Sequence, residues 1–381
     1  MRIAFAADCH IGNHRRFGGP ETAGVNVRGA LTLDAFRAAY RTALAERCSA
    51  FVVAGDVFDE DCPSPQVLAA VQDILNGDGE VAPSAVPILL VGNHDQHSTA
   101  IGDHALGPLG FQATIVDSPA VQVLEGEAGE VVAVLSVPYD PRPAGEWLAE
   151  TVAGLASSDE ARGSTSRVLA VHLGISDEHT PAFLRGARDA VDVATIAKVA
   201  AAAGCSHVFA GNWHDRKQWS RHGVHVVQCG ALVPTGFDNP GLHGYGGLHV
   251  LDTAGVGTRV TSHEVPGPRF VTVDGPDALR RELASARAKR CRVFARVRAG
   301  AGTDEVAAAQ DAIAAGLGGD VLGGEVDLDR TEATAAARTA AHAARKSETL
   351  SEALARFVGA MPLDEGVDRA EVLRRATACL G

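Results

Sequence analysis

The stretch AFVVAGD (residues 50–56) places an apolar run directly before a Gly-Asp pair. A short apolar run that ends in turn residues is typical of a strand buried on both faces of a sheet. The runs RIAFAAD (2–8) and PILLVGN (87–93) have the same form. We therefore predict three buried strands in the first hundred residues.

Two segments with helical periodicity separate these strands. In the first, apolar residues between Phe36 and Leu44 recur on one helical face. The second begins with Ser64 as N-cap and Pro65 in the first turn, and an apolar stripe follows. Strand, helix, strand, helix, strand is the pattern of a sheet covered by helices, so the sequence predicts an α/β fold.

Four later runs extend the strand pattern. VLAVHLG (168–174) and HVFAGNWH (207–214) have the form of the first three strands. We predict that VHVVQCG (224–230) and GGLHVLD (246–252) are further strands that continue a second sheet in antiparallel fashion. A Pro/Gly break, EVPGPRF (264–270), ends this region.

This break divides the chain into a large domain, a small domain and a tail. We predict a first domain at 1–266 and a second at 267–330, in which strand and helix patterns alternate as βαβαβ. Residues 331–381 are predicted to be an Ala/Arg-rich linker and two short amphipathic helices, the first of them SETLSEALARFVGAM (347–361).

Composition limits the class of protein. Of the 381 residues 46% are apolar, enough for a core, and no apolar run approaches the ~20 residues that cross a bilayer. The seven cysteines form no C-x-x-C pair, and the strand-like N-terminus does not resemble a signal peptide. We expect a cytoplasmic protein without a disulfide framework, a zinc ribbon or a membrane partner.

The net charge of −13 argues against a nucleic-acid partner, but the acidic residues are unevenly spread. Residues 271–381 hold 16 Lys/Arg and 17 Asp/Glu, so the excess of acid lies in residues 1–270. Bound divalent cations would offset part of it. The net charge alone therefore does not exclude DNA binding.

Each of the five core strands ends in side chains that bind metal ions. Sites in α/β sheets form outside the carboxyl ends of the strands, so we predict that these side chains converge. The predicted ligands are Asp8, His10, Asp56, Asn93, His172, Asn212 and His214. Seven ligands suit two divalent ions that share an aspartate, and donors without thiolate favour Mn²⁺, Fe²⁺ or Zn²⁺. Two such ions act on phosphate esters.

The order of the motifs resembles that of the calcineurin-like metallophosphoesterases: Asp8-x-His10, Gly55-Asp56-x-x-Asp59, Gly92-Asn93-His94-Asp95, His172 and Gly211-x-x-His214. DCHIG (8–12), GDVFD (55–59), GNHD (92–95) and GALVPTGFDNPGLHGYGGLHVLD (230–252) are similar to SbcD-type DNA repair nuclease subunits and their phage recombination-endonuclease relatives. The resemblance implies a two-sheet sandwich flanked by helices. Residues 268–329 resemble that family's α/β capping domain in pattern only.

The resemblance also implies a role for each motif residue. The first metal site would consist of Asp8, His10, Asp56 and His214. The second would consist of Asp56, Asn93, His172 and the residue at position 212. His94 would face the scissile phosphate as a proton donor or transition-state stabiliser, oriented by Asp95.

Asn212 departs from the family, which usually has histidine at this position. An amide oxygen is a weaker donor than imidazole, so the second ion would bind less tightly and would prefer a harder metal such as Mn²⁺ or Mg²⁺. The alternative is that Asn212 only forms a turn with a positive φ.

Two basic segments are candidate contacts to a DNA backbone. His14, Arg15 and Arg16 follow the first motif, and Arg290 and Arg292 belong to an arginine-rich strip of the second domain. A solvated surface is the alternative for both segments.

Three functions are compatible with the sequence. The first is a Mn²⁺-dependent nuclease of an SbcCD-like repair and recombination complex, which acts at DNA ends or hairpins. Its implied partners are DNA, a coiled-coil SbcC-like ATPase bound by the tail, and a second copy of the chain. The second is a phosphodiesterase for small molecules or cyclic nucleotides, which needs only the first domain. The third, prompted by Asn212, is a regulatory subunit with a weakened metal site.

Overall fold

The computed structural model describes residues 1–79, 84–126, 129–237, 246–254, 258–265, 267–288, 291–300, 303–317, 319–329, 370 and 373–375. Within these residues, two six-stranded sheets and one three-stranded sheet are flanked by helices. The mixed α/β fold predicted from the sequence is confirmed.

The first sheet contains the three strands predicted at the start of the chain. Arg2–Ala6 is parallel to Ala50–Val53, which is parallel to Val86–Leu90. On the other side, Gly246–Asp252 pairs with Arg2–Ala6 in antiparallel fashion. The spatial order is Arg259–Val265, Gly246–Asp252, Arg2–Ala6, Ala50–Val53, Val86–Leu90 and Thr114–Val116.

The second sheet contains the other two strands that end in predicted ligands. Ser166–His172 and Cys205–Gly211 are parallel neighbours, and Val131–Val137 continues the sheet in the same direction. The spatial order is Lys217–Arg221, Val224–Gln228, Cys205–Gly211, Ser166–His172, Val131–Val137 and Ala120–Glu125.

The prediction for the two later strands was wrong in part. Val224–Gln228 lies in the second sheet but is parallel to Cys205–Gly211. The strand Lys217–Arg221 comes between them in the sequence and runs in the opposite direction. Gly246–Asp252 is antiparallel as predicted, but it belongs to the first sheet. Apolar alternation does not specify which sheet a strand joins.

Apolar side chains of the two large sheets fill the space between them. Phe5 of the first sheet stacks on Phe209 of the second with ring centroids 3.7 Å apart, and both rings are buried. Full burial of such a side chain stabilises a fold by roughly 1.5–3 kcal/mol. Asp8 lies three residues after Phe5, and Asn212 lies three residues after Phe209. The packed core therefore fixes the distance between the two sheets beneath these predicted ligands.

Helices cover the outer faces of the sandwich. Val27–Ala45 and Pro65–Leu75 pack on the first sheet, and Ser64 caps the second of these helices as predicted. Ala144–Ala156 and Val193–Ala202 pack on the second sheet. Short elements in the connections are Glu21–Thr22, Val25–Asn26, Gly77–Gly79, Gly107–Leu109, Asp159–Arg162, Gly174–Ser176, Ala182–Arg185 and Ala190–Asp192.

Residues 269–329 form the three-stranded sheet, called the small layer below. Its strands are parallel and two helices connect them, in the order expected from the sequence. The elements are Arg269–Asp274, Gly275–Ala288, Val293–Gly300, Thr303–Gly316 and Val321–Asp329.

The small layer packs on the loop that follows the first motif. The Phe17 ring lies 5.5 Å from the Phe294 ring, centroid to centroid. The Arg28 guanidinium lies 5.2 Å from the centroid of the Phe270 ring, a cation–π distance. Arg16 Nη2 lies 2.7 Å from Glu325 Oε2. Aromatic and charged contacts therefore connect the small layer to the segment next to the predicted ligands.

Several predictions concern residues that the structure does not describe. The predicted helix at 347–361 and Arg290 lie outside the described residues. In the described part of the chain, no helix is both long and apolar enough to cross a membrane. The six cysteines in that part are all free.

Candidate metal centre

The carboxyl ends of five strands from both large sheets converge. The side chains form three groups here, and within each group the potential ligand atoms lie within 4.8 Å of one another. The groups are Asp8, His10 and His214; Asp8, Asp56 and His172; and His10, Asp56 and His94. The amide oxygen of Asn93 lies 3.0 Å from His172 Nε2. The structure therefore brings together residues that are far apart in the sequence, and their roles as ligands stay a prediction.

The backbone at the strand ends is left-handed. Four of the predicted ligands have positive φ: 49° at Asp8, 44° at His10, 53° at Asp56 and 85° at Asn212. This conformation is unfavourable for residues with a Cβ atom, by roughly 1–2 kcal/mol each. Hydrogen bonds from the N–H groups of Asp8 and Cys9 to the carbonyl oxygens of Gly55 and Asp56, 3.0 and 2.8 Å long, stabilise it.

Two glycines permit the close approach of these side chains. A Cβ atom at Gly55, where φ is 91°, would lie 2.0 Å from His172 Nδ1. A Cβ atom at Gly92 would lie 2.1 Å from Asp56 Oδ1. Any larger residue at either position would displace a predicted ligand.

Asp56 lies between two groups of predicted ligands. Its Oδ1 atom is 3.5 Å from His172 Nε2, and its Oδ2 atom is 3.8 Å from His10 Nε2. The backbone N–H of His94 donates to Oδ1 over 2.9 Å. Each oxygen therefore faces a different imidazole. A carboxylate that is shared by two metal ions needs this arrangement.

The imidazoles are oriented through their Nδ1 atoms. His172 Nδ1 lies 2.7 Å from the carbonyl oxygen of Ala54. A carbonyl oxygen only accepts, so Nδ1 carries the proton and Nε2 faces Asp56. His214 Nδ1 lies 3.2 Å from Thr235 Oγ1, and its Nε2 lies 3.0 Å from His10 Nε2.

Asp59 contacts three imidazoles, and one of them belongs to His14, a predicted DNA contact. Its two carboxylate oxygens lie 3.4 Å from His10 Nδ1 and 3.1 Å from His14 Nδ1. Its carbonyl oxygen lies 2.9 Å from His94 Nδ1. The His14 residue is 8% exposed, so the predicted contact of His14 with DNA is not supported. From its motif alone, Asp59 could be placed only in a loop. In the structure it contacts the predicted ligand His10 and the predicted proton donor His94.

The donors fit a divalent cation. Asp8 Oδ1 accepts from the Asn212 N–H over 2.8 Å, but the buried Oδ2 atom has no hydrogen-bond partner among the described residues. Burial raises the pKa of the Asp8 carboxyl to about 6. A buried, unpaired carboxylate oxygen is unfavourable, and a bound cation would compensate it.

The predicted ligands shift the pKa values of one another. Burial opposes ionisation of Asp56, but the neighbouring His172 holds the pKa of that carboxyl below its usual range. Burial lowers the pKa of His172, but Asp56 and Asp8 more than offset this and raise it to about 9. Burial, together with His10, lowers the pKa of His214 to about 4. Metal binding at His172 would therefore displace a proton.

Asp95 does not orient His94 as predicted. Its carboxylate is buried and accepts the backbone N–H groups of Val57, Phe58 and Gly92 over 3.3, 2.9 and 2.9 Å. Burial and the nearby Asp56 raise the pKa of the Asp95 carboxyl to about 7. Asp95 thus joins the two loops that carry the predicted ligands Asp56 and Asn93, and the carbonyl of Asp59 contacts His94 in its place.

Asn212 combines features of both interpretations. Its φ of 85° is that of a turn residue. Its side-chain nitrogen donates to the carbonyl and carboxylate oxygens of Asp189 over 3.2 and 2.9 Å. Because the nitrogen is engaged there, the amide oxygen is the atom left to act as a ligand. No motif marks Asp189 in the sequence.

Substitutions at position 212 separate the two interpretations. If the amide oxygen is a ligand, Asn212→His should shift the activity curve to lower Mn²⁺ concentration, since imidazole is the stronger donor. Asn212→Ala should shift it to higher concentration, and by less than His172→Ala. Activity titrated against Mn²⁺ measures these shifts. A flat response across the series, with Asn212→Gly harmless, would show that Asn212 only forms the turn.

The predicted DNA contacts occupy different environments. Arg15 is exposed. Arg16 is paired with Glu325, and Arg292 Nε donates to the carbonyl oxygen of Gly319 over 3.0 Å. Arg15 is therefore the described residue of this set with the simplest access to a DNA backbone.

Comparison with known proteins gives a match over the first part of the chain. The sequence model of the calcineurin-like phosphoesterases matches residues 1–216. No curated protein sequence matches.

Among the solved structures that are similar to this chain, three have 12–15% identity. A candidate 5′-nucleotidase from Staphylococcus aureus, in complex with α-ketoglutarate, has 15% identity and a TM-score of 0.41 over 70% of this chain, which spans only 54% of that protein. An archaeal phosphodiesterase has 12% identity and a TM-score of 0.33, with 69% of this chain and 100% of that one covered. GAP50, the anchor in the inner membrane complex of Plasmodium, has 12% identity and a TM-score of 0.40, with 70% and 88% covered.

Proposed function

The chain belongs to the calcineurin-like phosphoesterase family and is a metal-dependent hydrolase of ester bonds, and we propose that its substrate is DNA, cleaved at ends or hairpins. The observation that carries the phosphodiester chemistry is Asp56, whose two oxygens face different imidazoles. When bound, two divalent ions, Mn²⁺ in this proposal, would supply charge neutralisation at the phosphate and a nucleophilic water near neutral pH.

His94 is the side chain proposed to exchange a proton with the substrate. Its residue is exposed, while Nδ1 lies 2.9 Å from the carbonyl oxygen of Asp59. Nδ1 therefore carries a proton, and Nε2 is the atom available to the departing oxygen. Asp59 and Thr235 position the imidazoles, and Asp95 holds the loops together.

The small layer supports a polymeric substrate. It packs through Phe294 and Glu325 on the loop of Phe17 and Arg16, next to the first metal motif. A layer at this position extends the surface beside the metal centre beyond what a small phosphate ester needs. The exposed Arg15 lies on the same loop.

A phosphodiesterase for small molecules or cyclic nucleotides is the second candidate. Arg16 and Arg296 both bind Glu325, and Arg287 pairs with Asp320. These arginines are therefore partly neutralised, and the net charge of the chain is −13. Both facts weaken the attraction for a DNA backbone.

A Mn²⁺-dependent assay distinguishes the two candidates. Linear and hairpin DNA are compared with bis(p-nitrophenyl) phosphate, and Asp56→Asn serves as the inactive control. Cleavage of DNA that stops in EDTA and in Asp56→Asn supports the nuclease. Hydrolysis of the aryl diester without cleavage of either DNA supports the second candidate.

The tail is proposed to bind an SbcC-like coiled-coil ATPase. In the predicted helix at 347–361, which lies outside the described residues, Leu350, Leu354, Phe357 and Val358 form one apolar stripe. Deleting residues 347–381 should abolish co-purification with the ATPase but spare hydrolysis of bis(p-nitrophenyl) phosphate. Leu354→Asp should act similarly, whereas Arg356→Asp on the opposite side should not. Retained binding by the deletion variant would contradict the proposal. The homodimer stays a prediction.

A further inference from the structure

A further group of metal-binding side chains lies outside the metal centre. Asp61, Cys62 and His97 each offer one ligand atom, and these atoms lie within 4.8 Å of one another. The group shares no residue with the three groups of the metal centre. All three residues are exposed, and the side chains of Asp61 and His97 keep 53% and 35% of their accessible surface. An ion from the solvent can therefore reach the group directly.

The donors of this group differ from those of the metal centre. A thiol, an imidazole and a carboxylate are typical ligands of zinc. None of the three groups in the metal centre includes a cysteine. Of the six described cysteines, five are buried, and Cys62 is the exposed one. Because thiolate selects Zn²⁺ over Mn²⁺ and Mg²⁺, the group suits a softer ion than the Mn²⁺ proposed for hydrolysis.

The spacing of the group fits one tetrahedral ion. His97 Nδ1 lies 3.8 Å from Asp61 Oδ2, which is too long for a hydrogen bond. In a tetrahedral zinc site with bonds of ~2.1 Å, a nitrogen and an oxygen ligand lie about 3.4 Å apart. Small rotations of the exposed side chains therefore suffice to form the site. Three protein ligands leave the fourth position to water.

The backbone anchors both halves of the group. Cys62 lies two residues before Ser64, the N-cap of the helix Pro65–Leu75. The backbone N–H of His97 donates to the carbonyl oxygen of Asp103 over 3.1 Å. Both segments are therefore held before an ion binds, which lowers the entropic cost of binding.

The group connects two loops of the metal centre. Its first half follows Asp56 by five and six residues, and its second half follows His94 by three residues. The two loops already contact each other where the carbonyl oxygen of Asp59 lies 2.9 Å from His94 Nδ1. An ion held by both halves would add a second connection next to the predicted proton donor.

We propose that Asp61, Cys62 and His97 bind one Zn²⁺ ion, which ties the loop after Asp56 to the loop after His94. The thiol loses its proton to the solvent when the ion binds. This ion is separate from the two ions of the metal centre and takes no part in hydrolysis. The proposal therefore does not rest on the phosphodiesterase function.

Co²⁺ is the probe for this site. It replaces Zn²⁺ in tetrahedral sites, and its bond to a thiolate gives a charge-transfer band in the near ultraviolet. The full chain is freed of metal with EDTA, dialysed, kept reduced under argon and supplied with excess Mn²⁺ before Co²⁺ is added. We expect a band that saturates at one thiolate-bound Co²⁺ per chain and disappears when Zn²⁺ displaces the cobalt.

Single substitutions assign the band to the three ligands. Cys62→Ser should abolish it. His97→Ala and Asp61→Asn should each weaken Co²⁺ binding by ~10-fold or more, since even partners outside the coordination sphere contribute that much. Glu60→Gln, at an exposed carboxylate beside the group, and Cys379→Ser, at the cysteine outside the described residues, are the matched controls. Both should leave the titration unchanged.

Hydrogen exchange tests the tie between the loops. With excess Mn²⁺ present throughout, addition of Zn²⁺ should slow the exchange of amides in the segments 58–62 and 94–98. Cys62→Ser should lack this protection. Its Mn²⁺-dependent hydrolysis of bis(p-nitrophenyl) phosphate should persist, because the metal centre is unchanged.

The outcomes that overturn the proposal are distinct. The site is refuted if no charge-transfer band forms, or if the band persists in Cys62→Ser. A band that depends on Cys62 but is unaffected by His97→Ala and Asp61→Asn shows a lone thiol ligand and refutes the site as well. Unchanged exchange on addition of Zn²⁺ refutes the tie between the loops. Failure of the proposed function is a separate result, since a protein that hydrolyses no ester still gives the band if Zn²⁺ binds here.

Discussion

Asp56→Asn is expected to weaken binding at both metal positions and to lower Mn²⁺-dependent hydrolysis by ~10³-fold or more. Its two carboxylate oxygens face His172 and His10, so one substitution affects both groups of ligands. Metal ions contribute several kcal/mol to transition-state stabilisation, and each 1.36 kcal/mol corresponds to a factor of ten in rate. No other single substitution of a predicted ligand should have a larger effect.

Metal analysis and kinetics on the same preparation test this expectation. Glu60→Gln is a suitable control, because Glu60 is an exposed carboxylate of the same loop. The control should keep its metal content and activity. Circular dichroism shows whether Asp56→Asn is folded. A folded Asp56→Asn protein that still binds two ions with normal affinity would refute the shared-ligand role.

His94→Ala is expected to keep the metal content and to lower kcat by a factor of ~10²–10⁴, the range typical of acid–base groups. The imidazole is held through Nδ1 by the carbonyl of Asp59, and only the backbone N–H of His94 contacts Asp56 Oδ1. Removing the ring leaves that backbone hydrogen bond in place.

The size of the His94 effect should depend on the leaving group. p-Nitrophenolate departs without a proton, whereas a DNA alkoxide needs one, so the loss should be larger for DNA than for bis(p-nitrophenyl) phosphate. His179→Ala, at an exposed histidine outside the groups of candidate ligands, is the control. His94 also lies within ligand distance of His10 and Asp56. If His94→Ala releases a metal ion, His94 is a ligand and not the proton donor.

The sequence predicts much of the site because its motifs are local. A buried strand reads as an apolar run, and the chain turns directly after it, so Asp8, Asp56 and His172 are marked by where each run stops. The helix Pro65–Leu75 is similarly predictable, because its cap and its stripe lie within one short segment.

The remainder depends on contacts between distant segments. The pairing of Gly246–Asp252 with Arg2–Ala6 is set by the order of strands in space, which periodicity does not encode. Thr235 and Asp189 reach His214 and Asn212 from loops without a motif. Asp95 is the opposite case. Its motif suggests a role in catalysis, but its buried carboxylate accepts hydrogen bonds from backbone N–H groups.

For protein engineering, the left-handed backbone at Asp8, His10, Asp56 and Asn212 marks positions where selection for heat resistance and selection for turnover would diverge. Glycine adopts this conformation without the steric penalty, so a library screened only for thermal tolerance would enrich glycine there and lose ligands. If the predicted ligands bind Mn²⁺, a screen that includes this ion would reverse the trend at Asp8, His10 and Asp56, since bound metal stabilises only the sequence that carries its ligands. Comparing the two screens would rank each position by how strongly the ion selects the residue that stands there.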